Sequence, residues 1–176
     1  MLDEENPIVT SKQLEPCING ENIGLLTDAG CPNIADPGAK LILHAHENNI
    51  NVIPLVGPSS ILLAMMSSGL NGNNFSFNGY LPIDKNDRSK KIKNLEIESK
   101  NNNQSQIFIE TPYRNQVLFE ELKKNLNNNT FLCIATSLGS TNQKINTMQI
   151  KDWKSKKLTI EKKPTIFIFH SGLIIF

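Results

Sequence analysis

The chain has 176 residues, of which 18 are Lys or Arg and 17 are Asp or Glu, so its formal net charge is +1 at pH 7. This length holds one ordinary domain or two small ones, and the balanced charge excludes a protein that is basic over its whole surface. Three widely spaced cysteines form neither a disulfide framework nor a zinc-ligand pattern. No apolar run reaches the ~20 residues of a membrane-spanning helix. We therefore expect a globular protein of the reducing cytoplasm, with no metal site and no membrane segment.

The first half of the chain alternates short apolar runs with loops of small residues. Residues 23–27 are predicted to form a strand that ends in the loop TDAGCPNIADPG, and residues 51–55 form a second strand that ends in VGPSS. A helix is predicted after each loop, the first capped by Asp36 and the second by Ser59 or Ser60. A β-α-β-α series favours a parallel sheet, and ligands bind at the carboxyl ends of such strands.

The pattern changes at the turn-rich sequence Asn71-Gly72-Asn73-Asn74, which predicts a boundary between domains 1–72 and 73–176. The second part is predicted to be a mixed α/β domain. Its predicted strands cover 75–80, 106–110, 131–135 and 166–169, and its predicted helices cover 83–100 and a segment that begins at Thr111-Pro112.

Two carboxylates end predicted strands and are candidates for chemistry. Asp28 is placed to reach a cofactor's ammonium or ribose hydroxyl, or else to cap its turn. Glu110 is interpreted as a base or a substrate-binding group, or else as a strand-end carboxylate paired with Arg114. Two lysine-rich clusters, at 85–93 and 151–163, are either solvated faces or contacts for RNA phosphates.

Three motifs, in this order, resemble the tetrapyrrole-methylase superfamily. They are TDAGCP with the following ADPG, PLVGPSS, and IETPYR. The resemblance covers the chain from about Gly20 to His170. Within the superfamily it is greatest to the branch that methylates a ribose 2′-hydroxyl of small-subunit ribosomal RNA.

The resemblance implies two α/β lobes with S-adenosylmethionine (SAM) in the cleft between them. It implies a SAM-dependent methyltransferase that acts on ribosomal RNA or the small ribosomal subunit, forms a homodimer and needs no metal. Glu110 and Arg114 would then be catalytic, on the substrate side. The cofactor-binding residues would be Asp28, Ala29, Gly30, Pro32, Ser59, Ser60, Ala135, Pro164 and Thr165.

One feature departs from the family pattern. The family begins with an apolar strand and a Pro- and Gly-rich loop, and residues 1–22 supply no such loop. We therefore expect the first βαβ unit to be missing and the chain to be amino-terminally truncated. Two alternatives to the ribosomal RNA methyltransferase stay open: a methyltransferase whose acceptor is a tetrapyrrole, and a truncated, non-catalytic remnant that binds RNA or a partner.

Overall fold

A computed structural model describes residues 7–172, and its chain divides into two compact units, Met1–Ser59 and Ser60–Phe176. None of the helices in this described range is long and apolar enough to cross a membrane. The helices are α1 (Pro7–Ile18), α2 (Ala39–Glu47), α3 (Ser60–Ser68), α4 (Lys85–Asn102), α5 (Asn115–Asn125) and α6 (Ile150–Ser155). The strands are β1 (Phe75–Tyr80), β2 (Ser105–Ile109), β3 (Phe131–Thr136), β4 (Lys144–Gln149) and β5 (Thr165–His170).

The first unit is built on a small helical core. Leu14 of α1 packs with Leu41 and Ala45 of α2, and partly buried apolar side chains from residues 25, 50 and 52 join them. The strands predicted at 23–27 and 51–55 are wrong for this structure, which gives both segments irregular backbone. A strand needs a hydrogen-bonded neighbour, and within the described residues neither segment has one.

The start of α2 also differs from the prediction. The helix begins at Ala39 with Gly38 at the N-cap position, and no side chain makes a capping hydrogen bond, so Asp36 is not the cap. Gly38 has a φ of +148°, and a Cβ there would lie 3.1 Å from Leu25 Cδ2. The positive φ and the close approach of Leu25 both favour glycine at this position, and the helix begins beyond the residue that the local pattern favours.

The second unit contains a five-stranded sheet in the order β1-β2-β5-β3-β4. β1 and β2 are parallel, whereas β5 runs antiparallel to both β2 and β3, and β4 runs antiparallel to β3. The strands and helices predicted after residue 73 are confirmed, with ends that move by a few residues, and β4 and α6 complete the last third of the unit. Phe108 faces a core shared with α4, α5 and α6, while its neighbour Ile107 faces the core shared with α3. Because helices cover both faces, β2 has a short continuous apolar run, and this run predicts the strand.

Helix α3 belongs to the second unit because Ala64 and Met65 pack on the face of the sheet that carries Ile107. The division into compact units therefore falls before α3. The domain boundary expected between residues 72 and 73 stays a prediction.

The sheet brings the ends of several strands to one edge. The parallel strands β1 and β2 end there, with Tyr80 paired to Ile109. β5 starts at the same edge, because Ile109 is also paired with Ile166, and β3 ends there with Thr136 opposite Thr165. We call this end of the second unit the Glu110 edge.

Candidate functional site

The loop 28–38 of the first unit has an exposed and unusual backbone. Asp28, Ala29 and Gly30 are exposed, and Pro32 is half-buried. Gly30 has a φ of +80°, and a Cβ built on it would meet no atom within 4 Å. The left-handed conformation therefore favours glycine at this position, and the space beside the backbone is open to a ligand.

The same loop holds two non-glycine residues in the left-handed region, Asn33 with a φ of 67° and Ala35 with a φ of 56°. Alanine gains no local side-chain hydrogen bond in this conformation, so Ala35 stores backbone strain. Such strain concentrates at binding and catalytic loops, which supports the loop as a candidate site.

The second small-residue loop of the first unit approaches the first one. Cys31 Sγ lies 3.8 Å from the carbonyl oxygen of Pro58, to which it donates a weak hydrogen bond. Ser59 is half-buried next to this contact, and Ser60 opens α3. The structure therefore places Cys31 close to the predicted site residue Ser59 and gives its thiol a weak hydrogen bond.

The predicted catalytic pair lies at the Glu110 edge of the second unit. Glu110 follows β2, and Arg114 immediately precedes α5. Arg114 donates to Glu110 Oε1 through Nη2 at 2.7 Å and through Nε at 2.9 Å, and the Thr111 amide donates to the same oxygen at 2.6 Å. The Glu110 side chain is only 2% exposed, whereas the Arg114 side chain is 33% exposed. The carboxylate is thus fixed, and the guanidinium keeps a face in solvent.

The two oxygens of Glu110 differ. Within residues 7–172 the hydrogen bonds of this carboxylate all end on Oε1. Within the same residues no hydrogen bond ends on Oε2. This oxygen is therefore available as an acceptor for a bound hydroxyl group.

Asn115 links the predicted catalytic pair to the predicted cofactor residues, and sequence reasoning missed it. Its side chain is completely buried, and Nδ2 donates to the Lys163 carbonyl at 2.8 Å and to Thr165 Oγ1 at 3.1 Å. Arg114 precedes Asn115 directly. The only sequence signal was this adjacency to the IETPYR motif, because the partners lie far along the chain.

The remaining predicted residues of the second unit gather at the same edge. Thr165 is buried and its hydroxyl lies 3.2 Å from that of Thr136. Pro164 is exposed, and its carbonyl accepts from the Ser137 amide at 3.0 Å. Ala135 is only 1% exposed and packs on the α3 side of the sheet.

Charges alternate beside this edge. Glu161 lies between Lys163, whose Nζ is 2.6 Å from Oε2, and Lys144, whose Nζ is 2.9 Å from Oε1. The hydrogen bonds from Lys163 and Lys144 lower the pKa of Glu161 to about 2. A cavity of about 60 Å³ lies next to this triad, which is room for a few water molecules and not for a nucleoside.

The first lysine-rich cluster is less accessible than its charge suggests. Arg88 is 7% exposed, and its Nη1 donates to the carbonyls of Pro82 and Ile83 at 3.3 and 2.8 Å. Arg88 therefore fixes the turn after β1 instead of facing solvent, while the lysines of this cluster stay on the surface. Among the described residues no group of His, Cys, Asp and Glu has an arrangement that would hold a metal ion.

The sequence relatives agree with the motifs. The chain is 28% identical over 160 residues to ribosomal RNA small subunit methyltransferase I of Vibrio cholerae, and 34% identical over 131 residues to the protein of the same name from Buchnera aphidicola. The alignments cover 89% and 72% of this chain but 54% and 45% of the relatives. The chain thus spans about half the length of the curated relatives it matches. No family model matches the chain.

Solved structures show the same fold at low sequence identity. The fold matches that of diphthine synthase with a TM-score of 0.63 at 12% identity, covering 99% of this chain and 69% of that one. It matches the methyltransferase CobJ with a TM-score of 0.61 at 16% identity, covering 93% and 70%. The architecture is therefore that of the tetrapyrrole methyltransferases. With the three motifs and the sequence relatives, this fold shows that the chain belongs to the tetrapyrrole-methylase superfamily. Within it, the chain is similar to ribosomal RNA small subunit methyltransferase I.

Proposed function

We propose that the chain is a SAM-dependent methyltransferase whose acceptor is a ribose 2′-hydroxyl of small-subunit ribosomal RNA. The observation that carries the proposal is the Glu110 carboxylate, which is held through Oε1 by Arg114 and the Thr111 amide while Oε2 accepts no hydrogen bond from the described residues. The names of the curated relatives support small-subunit ribosomal RNA as the substrate.

The loop 28–38 fits the cofactor. Its open space beside Gly30 accommodates a ligand against the backbone, and the exposed Asp28 carboxylate complements a cationic amino group. We assign Asp28, Ala29, Gly30, Pro32 and Ser59 of the first unit to holding SAM. The family resemblance alone supports Ser60, Ala135, Pro164 and Thr165 of the second unit as cofactor residues. When bound, SAM supplies an electrophilic methyl group.

Glu110 and Arg114 act on the acceptor. A ribose hydroxyl is a poor nucleophile, so it benefits from a carboxylate that orients it and accepts its proton. Glu110 Oε2 takes that proton, while Arg114 neutralises the charge on Oε1 and presents its solvent-facing N–H groups to a phosphate of the RNA. Positioning supplies most of the remaining catalysis, since the methyl group already has a good leaving group.

The proposed acceptor chemistry is tested by Glu110→Gln. We expect methyl transfer to purified small ribosomal subunits to fall by roughly 10²- to 10⁴-fold, because the proton acceptor is lost. The affinity for SAM stays unchanged. Glu120→Gln is the matched control, since Glu120 is an exposed carboxylate of α5 paired with Lys123. Activity of Glu110→Gln close to that of the unsubstituted protein would overturn the role of Glu110.

The proposed cofactor loop is tested by calorimetric titration with SAM. Gly30→Val places a branched side chain in the open space and strains a φ of +80°, so we expect SAM binding to be lost. Asp28→Ala should weaken binding, whereas Asp36→Ala, an exposed acid of the same loop, should not. Equal affinity of Gly30→Val and the unsubstituted protein would remove this loop from the site.

Two readings of the chain give different outcomes in these assays. Methyl transfer to a tetrapyrrole but not to RNA would favour the tetrapyrrole acceptor. RNA binding without SAM binding or methyl transfer would contradict the enzyme assignment and favour a non-catalytic binding protein. We also propose a homodimer, supported by the family resemblance; a monomer in light scattering at all concentrations would contradict it.

A further inference from the structure

Two tyrosine rings are exposed at the Glu110 edge. Tyr113 is 78% exposed and Tyr80 is 55% exposed. Tyr80 ends β1 and is paired with Ile109, the last residue of β2, and Tyr113 lies in the turn that follows β2. Both residues therefore lie at the same end of the sheet. Large exposed aromatic side chains of this kind mark interaction sites more often than isolated exposed aliphatic ones.

Cations accompany the more exposed ring. Lys162 Nζ lies 5.4 Å from the centroid of the Tyr113 ring, which is within the range of a cation–π contact. The neighbouring Arg114 is held by Glu110 and keeps a solvent-facing part. An aromatic surface is thus combined with an ammonium and a guanidinium, the chemistry that binds the bases and phosphates of a single nucleic-acid strand.

We propose that Tyr113 stacks against an unpaired base of RNA, with Lys162 and Arg114 contacting the adjacent phosphates. The inference rests on the proposed function and deepens it, because it specifies that the acceptor nucleotide lies in a single-stranded segment. A base in a duplex is already stacked on its neighbours and has no free face for the ring. Tyr113 also lies one residue from Arg114, whose partner Glu110 is the proposed proton acceptor. A nucleotide stacked on Tyr113 therefore brings its ribose toward the carboxylate.

The test measures RNA binding without SAM. The full chain is titrated against an unpaired fluorescent RNA of about 12 nucleotides and against a duplex of the same sequence, by anisotropy, over a series of salt concentrations. We expect the unpaired RNA to bind more tightly. Tyr113→Ala should weaken binding roughly 5- to 100-fold with an unchanged salt slope, because a stacking contact and no charge is lost. Tyr113→Phe should bind like the unsubstituted protein.

Two further variants separate the contributions. Lys162→Ala should reduce the salt slope by about 0.7, the value for one phosphate contact on a single strand. Phe75→Ala is the matched control, because Phe75 is 38% exposed at the opposite end of β1, and it should leave binding unchanged. Circular dichroism confirms that each variant is folded.

The proposal is overturned if the chain binds no RNA, if it binds the duplex equally well, or if Tyr113→Ala binds like the unsubstituted protein. A protein that methylates RNA but is insensitive to Tyr113→Ala would refute the stacking inference alone. A protein that stacks RNA on Tyr113 but transfers no methyl group would refute the proposed function alone. If Tyr113→Ala changes only the concentration dependence of light scattering, the ring contacts a second copy and the inference is wrong.

Discussion

Removing Arg114 from its pair with Glu110 should destabilise the second unit more than neutralising Glu110 does. Glu110 is 2% exposed and cannot be rehydrated when its partner is removed, whereas Arg114 is 33% exposed and can. Loss of one partner from a fully buried pair costs about 3–5 kcal/mol, and exposed pairs contribute about 0.2–1 kcal/mol. For Arg114→Met, which keeps the aliphatic stem, we expect the free energy of unfolding to fall by about 2–3 kcal/mol, reduced from the buried value by the exposure of the guanidinium.

The opposite substitution should be milder. Glu110→Gln retains an oxygen that accepts from the Thr111 amide and from Arg114, so it loses charge assistance rather than the hydrogen bonds. We expect a cost of about 1 kcal/mol. In the double variant the neutral pair leaves no uncompensated buried charge, so its cost should be less than the sum of the two single costs by about 1–2 kcal/mol.

The assay is urea unfolding followed by the fluorescence of Trp153. This is the only tryptophan of the chain, it is 1% exposed in the core of the second unit, and it therefore reports the unfolding of the unit that contains the pair. All variants should keep the same m-value. The reasoning is refuted if Arg114→Met costs no more than Glu110→Gln, or if the two substitutions are additive within about 0.3 kcal/mol. Either result would make the contact a surface ion pair without a role in fixing the carboxylate.

Three further predictions concern the second unit. Glu96 is buried in α4 and accepts hydrogen bonds from Thr130 Oγ1 and from the amide and side chain of Asn127. Glu96→Ala should therefore lower the free energy of unfolding by about 2–4 kcal/mol in urea titrations. An unchanged urea midpoint would contradict this. Burial raises the pKa of the Cys133 thiol, so thiol reagents should modify Cys133 only on unfolding, and fast native modification would disprove its burial. The pKa of Glu161 is lowered from 4.5 to about 2. Its stabilising contribution is therefore present above pH 4.5 and is lost as the pH falls toward 2. An NMR titration midpoint near 4.5 would show that its ion pairs with Lys144 and Lys163 do not form in solution.

Local sequence patterns predict most of the second unit for a physical reason. Along β2 and β5, neighbouring apolar residues face opposite sides of the sheet, and both sides are covered by helices. Phe108 and Phe167 stack at 5.8 Å on one side, while Ile107 and Ile168 pack on the other. Since burial on both faces follows from pairing within this unit, the pattern in each strand was sufficient to locate it.

The parts of the site that escaped prediction depend on contacts between distant segments. The pairing of Glu110 with Arg114 was one of two readings, because a spacing of four residues permits it without requiring it. The buried bridge from Asn115 to Thr165 and the approach of Lys162 to Tyr113 have no local signature at all. They arise because β5 starts at the edge where β2 ends, and that topology is not encoded in either segment alone.

In the first unit, sequence patterns predict strands that the structure does not contain. Residues 23–27 and 51–55 have the composition of buried strands, yet Leu26 is 89% exposed and Leu55 is 88% exposed. An apolar run indicates that a segment is suited to burial, but it does not indicate which surface covers the segment. Helix α2 forms because its apolar face packs against Leu14 of α1. A strand requires a hydrogen-bonding neighbour as well as an apolar surface. A strand prediction therefore fails where a helix prediction holds, when the described residues do not include that neighbour.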